Sequence, residues 1–142
     1  MGLEVASALS KRGGWHLHLL DLTTERGKQA TQDVSNSKYH EVNITDYDAF
    51  ASIFQRVFDQ EGRLDFVFAN AGIVERFNFY DSHTTGRPPP PPDQTVIDIN
   101  LKAVINTAWL AQHYFRQSTE SDNKNLVMTA SVGGLYRTQT SP

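Results

Sequence analysis

Cysteine is absent from this 142-residue chain. That excludes disulfides, thiol catalysis and cysteine-ligated zinc, and is compatible with a reducing compartment. Long apolar runs are missing as well, none approaching the roughly 18 residues that span a bilayer. Glu4 follows Met1 almost at once, without the basic and apolar regions of a signal peptide. A soluble, cytoplasmic protein with no membrane partner is therefore expected. Positive charge is in deficit: 13 Lys and Arg stand against 16 Asp and Glu, and a net charge of -3 has the wrong sign for a nucleic-acid surface. There is no internal repeat. What is present suffices for a core, since 39% hydrophobic and 11% aromatic residues argue against global disorder and the length suits one domain.

Two kinds of segment alternate. Residues 15–20, 38–42, 64–69 and 125–130 are short apolar or β-branched stretches preceded by Gly or polar residues, as strands are. Helical patterns lie between them. The clearest has Tyr47, Phe50, Ile53, Phe54, Val57 and Phe58 on a 3.6-residue period, with Thr45 or Asp46 able to cap its start and Gly62 beyond its end. Residues 3–12 read as a helix stopped by Gly13, 24–34 as one opened by Thr23 or Thr24, and 93–117 as a long one beginning at Asp93. The order α, β, α, β, α, β, α, β predicts right-handed crossovers and a parallel sheet covered on both sides. A nucleotide-binding unit of this class starts with a strand whose glycine-rich turn feeds the first helix, whereas this chain starts on the helix.

At 84–92, Gly86 and Arg87 precede five prolines in a row, Pro88 to Pro92. Proline fixes φ and donates no backbone hydrogen bond, so a stiff polyproline II loop is predicted, serving as a spacer between strand and helix or docking to an aromatic groove on a partner. His16 and His18 share a strand face, but no third ligand is identifiable, so ordinary sheet residues and no metal site are expected. Asp21 ends an apolar strand nineteen positions after Gly2. In a dinucleotide fold a carboxylate about 20 residues beyond the glycine turn accepts from the ribose hydroxyls and repels a 2′-phosphate. Capping of the next helix is the alternative role for Asp21.

Leu64 to Ile73, with Asn70, Ala71 and Gly72 after an apolar stretch, closely resembles the strand and Asn-Ala-Gly turn of the short-chain dehydrogenase/reductase family. Asp98 to Ala103, containing Asn100, resembles the family's next helical segment, and Leu126 to Gly134 resembles the strand ending in its catalytic serine, here Ser131. The three stand in the family's order and cover essentially the whole chain. The resemblance implies an α/β fold: a partial doubly wound, Rossmann-like parallel sheet, one incomplete dinucleotide-binding domain over 1–142 that lacks the first strand and the C-terminal strands. The absent first strand would lie centrally, between the strand ending at Asp21 and the one ending near Asn70.

The same resemblance assigns Ser131 and Asn100 to catalysis, Ser131 as hydrogen-bond partner of the substrate oxygen and Asn100 as holder of a relay water. It assigns Gly2, as the last glycine of the cofactor turn, with Asp21, Asn70, Ala71 and Gly72, to the cofactor. The family's adenine-contacting acidic residue corresponds to Asn43, whose amide oxygen can still accept a hydrogen bond, followed by Ile44. NAD is the implied cofactor, with NADP not excluded, and a secondary alcohol or ketone the implied substrate. A serine-hydrolase reading fails, because there is no GxSxG elbow and no His and Asp constellation of triad spacing.

The family's proton-transferring tyrosine is followed four residues later by a lysine that tunes it. Tyr39, Tyr47, Tyr80, Tyr114 and Tyr136 are followed at that distance by Asn43, Ala51, Thr84, Ser118 and Thr140. The expectation is a piece of an oxidoreductase, inactive and poorly folded on its own; a non-catalytic remnant binding a partner through its proline loop is the alternative.

Overall fold

The fold comes from a computed structural model that describes residues 1–75, 78, 86–118 and 123–136. Thr84 and Thr85 of the proline segment, and Tyr80, lie outside the described residues. Helix α1 (Gly2–Arg12) ends at Gly13, whose φ of 75° suits glycine, and leads into β1 (Leu17–Asp21). Helix α2 (Thr24–Asp33), β2 (Ser37–Glu41), α3 (Tyr47–Glu61) and β3 (Phe66–Ala69) follow. Then come α4 (Thr95–Ile97), a π turn (Asp98–Lys102), α5 (Ala103–Gln117), β4 (Asn125–Met128) and a 3₁₀ turn (Val132–Gly134). The predicted alternation is the observed one.

Several boundaries shift by one or two residues, and two of the shifts have a local cause. Strand β1 begins at Leu17 rather than Trp15, because Asn36 turns into the left-handed region (φ 55°) ahead of β2, and its side-chain amide donates to the Trp15 carbonyl at 2.6 Å. Helix α4 begins at Thr95 rather than Asp93, whose carboxylate accepts from the Thr95 N–H at 2.9 Å outside the helix. The helix expected to run unbroken to residue 117 contains the π turn. Residues 88–92 are exposed and outside any helix or strand.

The largest core forms on α3. Asp46 Oδ1 caps it by accepting from the Ala49 N–H at 3.1 Å, and Gly62 closes it in the left-handed conformation. Its face of Phe50, Ile53, Phe54 and Val57 packs against Leu110, Ala111 and Tyr114 of α5 and against Val42. The Tyr114 hydroxyl donates to Gln55 Oε1 at 3.0 Å. Buried Ser118 joins α5 to the approach to β3: its hydroxyl donates to the Tyr114 carbonyl and accepts from the Leu64 N–H, both at 2.8 Å. A second cluster of Ala6, Leu17 and Val34, with Leu19 against it, lies under α1 and α2, whereas Leu20 packs with the α3 cluster. Strand β1 thus shows the period-2 division of its two faces.

Among the described residues the sheet is two parallel ladders, divided where the resemblance implies the absent central strand. Strand β1 pairs with β2 from Leu17↔Ser37 to Asp21↔Glu41, and β3 with β4 from Phe66↔Asn125 to Ala69↔Met128. The Leu17 N–H donates to the Asn36 carbonyl and the Asp21 carbonyl accepts from Val42, so the backbone groups of His18 and Leu20 point to the other edge. The Asp65 and Ala69 carbonyls face β4, which turns those of Phe66 and Phe68 the same way, out of their ladder. All four residues line one cavity of about 1110 Å³, which lies where the resemblance implies a central strand. Trp15 meets Phe66 edge-on at one end of these strands, ring centroids 6.1 Å apart.

This alternation makes a prediction. Amide exchange of His18, Leu20, Phe66 and Phe68 should be about tenfold or more faster than that of Leu19, Asp21, Val67 and Ala69, which face ladder partners. Uniform protection along each strand, read by NMR, would show that the inner edges are paired.

Candidate functional site

Parallel α/β sheets bind ligands beyond the carboxyl ends of their strands, and that edge is where most of the predicted residues gather. Asp21 closes β1, and its Oδ1 accepts from the Thr23 N–H at 3.1 Å while its carbonyl accepts from the Tyr39 hydroxyl at 2.9 Å. Thr23 rather than Asp21 holds the N-cap position of α2, without a side-chain capping bond. Burial, followed by the nearby carboxylates of Glu41, Asp21 and Glu25, raises the Tyr39 phenol above its ordinary value, so Tyr39 holds its proton as a donor. The Tyr39 ring occupies the space beside Gly27, where an added Cβ would lie 2.2 Å from ring carbons.

At the end of β3, Asn70 Oδ1 accepts from the Thr129 hydroxyl at 3.2 Å. Gly2 lies so close that a Cβ on it would sit 3.0 Å from Asn70 Nδ2, which brings the start of α1 against this turn. Gly72 stands against Asn100, where a Cβ would be 3.3 Å from Oδ1. The Asn100 side chain bonds both ways with one residue: Oδ1 accepts from the Ile73 N–H at 2.9 Å and Nδ2 donates to the Ile73 carbonyl at 2.8 Å. Asn100 is exposed, and its amide is paired with the Ile73 backbone. It sits in the π turn, an irregularity that recurs at functional sites.

Gly2, Asp21, Ile44, Asn70 and Ala71 share the 1110 Å³ cavity. Asn43, Gly72, Asn100 and Ser131 do not line it. Asn43 is engaged locally: its Oδ1 accepts from both the N–H and the hydroxyl of Thr45, at 3.1 and 2.8 Å, so the oxygen expected to be available for a ligand already has two partners. Ser131 begins the 3₁₀ turn after β4, and its Oγ accepts from the Gly133 N–H at 3.1 Å. Its O–H remains able to donate. Among the described residues no group of three or more His, Asp or Glu is placed to hold a metal.

Sequence reasoning missed Arg26 and Tyr39 as cavity residues and Thr129 as the partner of Asn70. The last was accessible: pairing Ala69 with Met128 sets Asn70 opposite Thr129.

The sequence profile of the short chain dehydrogenases matches residues 1–142. The short-chain dehydrogenase/reductase prx7 of Penicillium rubens is 47% identical over 148 residues, a match covering 100% of this chain and 52% of that protein. The 5′-hydroxyaverantin dehydrogenase of Dothistroma septosporum is 28% identical over 153 residues, covering 94% of this chain and 49% of that protein. The crystal structure of gox2181 superposes with a TM-score of 0.79 at 21% identity, over 97% of this chain and 52% of that one, which shows a common fold. The chain belongs to the short-chain dehydrogenase family. It spans about half the length of the curated relatives it matches.

Replacing Asn100 by Ala should remove both Ile73 bonds and destabilise the chain by about 1 to 2 kcal/mol, each exposed bond contributing at the lower end of the usual range. Urea unfolding measures the loss, and an unchanged midpoint would show that the Asn100–Ile73 clasp carries no weight.

Proposed function

We propose that this chain forms the nucleotide-binding part of an oxidoreductase that moves a hydride between NAD and a secondary alcohol or ketone. The observation that supports the reading is that Asp21, Asn70 and Ala71 stand at or just beyond the carboxyl ends of β1 and β3, with Gly2 brought against Asn70. Asp21 would accept from the adenosine ribose hydroxyls with the carboxylate oxygen not used by Thr23. Bound nicotinamide would supply the hydride chemistry. Ser131 would hydrogen-bond the substrate oxygen, and Asn100, with its side chain held by Ile73, would present its backbone to a relay water. The reaction type also follows the relatives, one of which is named as a dehydrogenase of a hydroxylated compound. The relatives lend no support to a non-catalytic role acting through Pro88 to Pro92.

Alcohol oxidation removes a proton from oxygen as hydride leaves carbon, and a phenol does this near neutrality only beside a cation that lowers its pKa. No tyrosine of these 142 residues has a lysine four positions on. Cofactor binding without turnover is the behaviour proposed for the chain by itself.

Titration of the purified chain with both nucleotides should give tighter binding of NAD than of NADP. Asp21→Ala should narrow that difference by about fivefold, the value of roughly 1 kcal/mol of repulsion between exposed charges at contact. Arg26, on the helix that follows Asp21, lines the same cavity and is a cation able to reverse the preference. Tighter NADP binding, abolished by Arg26→Ala, would transfer the specificity to that residue and refute the assignment to Asp21; no saturable binding of either nucleotide would refute the site itself.

A further inference from the structure

The turn that carries Asp21 is held by a side chain of the neighbouring strand. Tyr39 lies in β2 opposite Leu19, two positions short of Asp21 in β1. Its side chain spans that distance, and the hydroxyl donates to the Asp21 carbonyl at 2.9 Å, an oxygen that also accepts from the Val42 N–H at 3.0 Å. Both lone pairs of the carbonyl are engaged, one by the ladder and one by the phenol.

The ring of the same side chain bears on α2. Gly27 is buried beneath it, and a Cβ there would lie 2.2 Å from ring carbons, so any side chain at 27 would displace the ring. Glycine weakens a helix, and here it makes room. Gly27 sits one helical turn beyond Thr23, donating to its carbonyl at 3.0 Å, and the Thr23 N–H in turn donates to Asp21 Oδ1 at 3.1 Å. Tyr39 therefore touches both limbs of the turn: the end of β1 through its hydroxyl and the first turn of α2 through its ring. A second β2 side chain fastens the same helix start, since Glu41 Oε2 accepts from the Thr24 hydroxyl. The Asp21 side chain itself is exposed, so its direction depends on where Thr23 stands relative to the strand end.

We infer that Tyr39, seated on Gly27, is a positioning residue of the nucleotide site: by fixing the start of α2 against the end of β1, it aims the Asp21 carboxylate at the adenosine ribose. The inference rests on the assignment of Asp21 to the ribose made above. Tyr39 acts through Asp21 and needs no contact with the nucleotide. Without the hydroxyl, the bond from Val42 still holds the strand end, whereas Thr23 and the carboxylate it orients lose their reference to it. The loss falls on selectivity. A carboxylate that is wrongly aimed accepts less well from the ribose hydroxyls and also repels a 2′-phosphate less.

Titration of the 142-residue chain with NAD and NADP tests this. Tyr39→Phe keeps the ring and removes the hydroxyl, and it should narrow the NAD-over-NADP ratio about threefold, the value of one neutral hydrogen bond and within the narrowing expected of Asp21→Ala. In a chain already carrying Asp21→Ala the same change should leave the ratio where it is, because the carboxylate through which Tyr39 acts is gone. Equal narrowing in both backgrounds overturns the inference. So does a ratio that Asp21→Ala moves and Tyr39→Phe does not, even if the urea midpoint falls, since Tyr39 would then have a structural role only. A ratio moved by neither substitution overturns the assignment of Asp21 itself, and the inference with it. The free chain supplies a readout that needs no nucleotide: exchange of the Thr23 amide, followed by NMR, should quicken about threefold in Tyr39→Phe, and an unchanged rate overturns the inference whatever the titrations give.

Discussion

The apolar face of α3 is the constraint on which the remaining structure depends. Among the described residues the two ladders share no strand pairing, and the α3 cluster is where they meet: Leu20 of β1, Val67 of β3 and Leu126 of β4 all pack on it. Burying Phe50, Ile53, Phe54 and Val57 contributes roughly 1.5 to 3 kcal/mol each. The same helix carries Glu61 at its last position, where the carboxylate meets His16 and His18.

Most of this organisation was legible as pattern. The 3.6-residue period of α3 and the period-2 faces of the strands identify which side of each element is buried, and Asp46 and Gly62 mark the ends of α3 in the chain itself. Periodicity is silent about edges. It gives the face of a strand and not its lateral partner, so the division into two ladders came only through the family's known strand order. It is equally silent about the π turn at Asp98 to Lys102, where a local widening of the helix changes no apolar spacing.

The site was legible as residue types and less so as interactions. Asn70, Ala71, Gly72, Asn100 and Ser131 stand at the carboxyl edge or in the turn docked on it, as the motifs imply. Their hydrogen bonds are different from those that the residue types suggest. Asn43 turns its oxygen to Thr45, two residues away, because an Asx turn forms without ordering any distant segment. His16 and His18, read as ordinary sheet residues, are joined to a carboxylate more than 40 positions along the chain, a separation at which no local pattern carries information.

Close backbone approach links the core to this edge. Gly2 admits Asn70, Gly27 admits the Tyr39 ring and Gly72 admits the Asn100 amide. Asn100 is continuous through the π turn with α5, whose Leu110, Ala111 and Tyr114 are locked against α3, and Asn70 is tied through Thr129 to β4. The Asn-Ala-Gly turn is therefore positioned twice: from the core through α5 and Asn100, and from the second ladder through Thr129. A change in the packing of Tyr114 would be transmitted to Ile73 along a helix, which moves as a unit, whereas a change at the exposed proline run meets no such rigid path. Mechanical coupling of this kind accounts for an exposed asparagine spending its whole amide on one backbone residue, since a single bond would let the turn pivot and two in opposite senses do not.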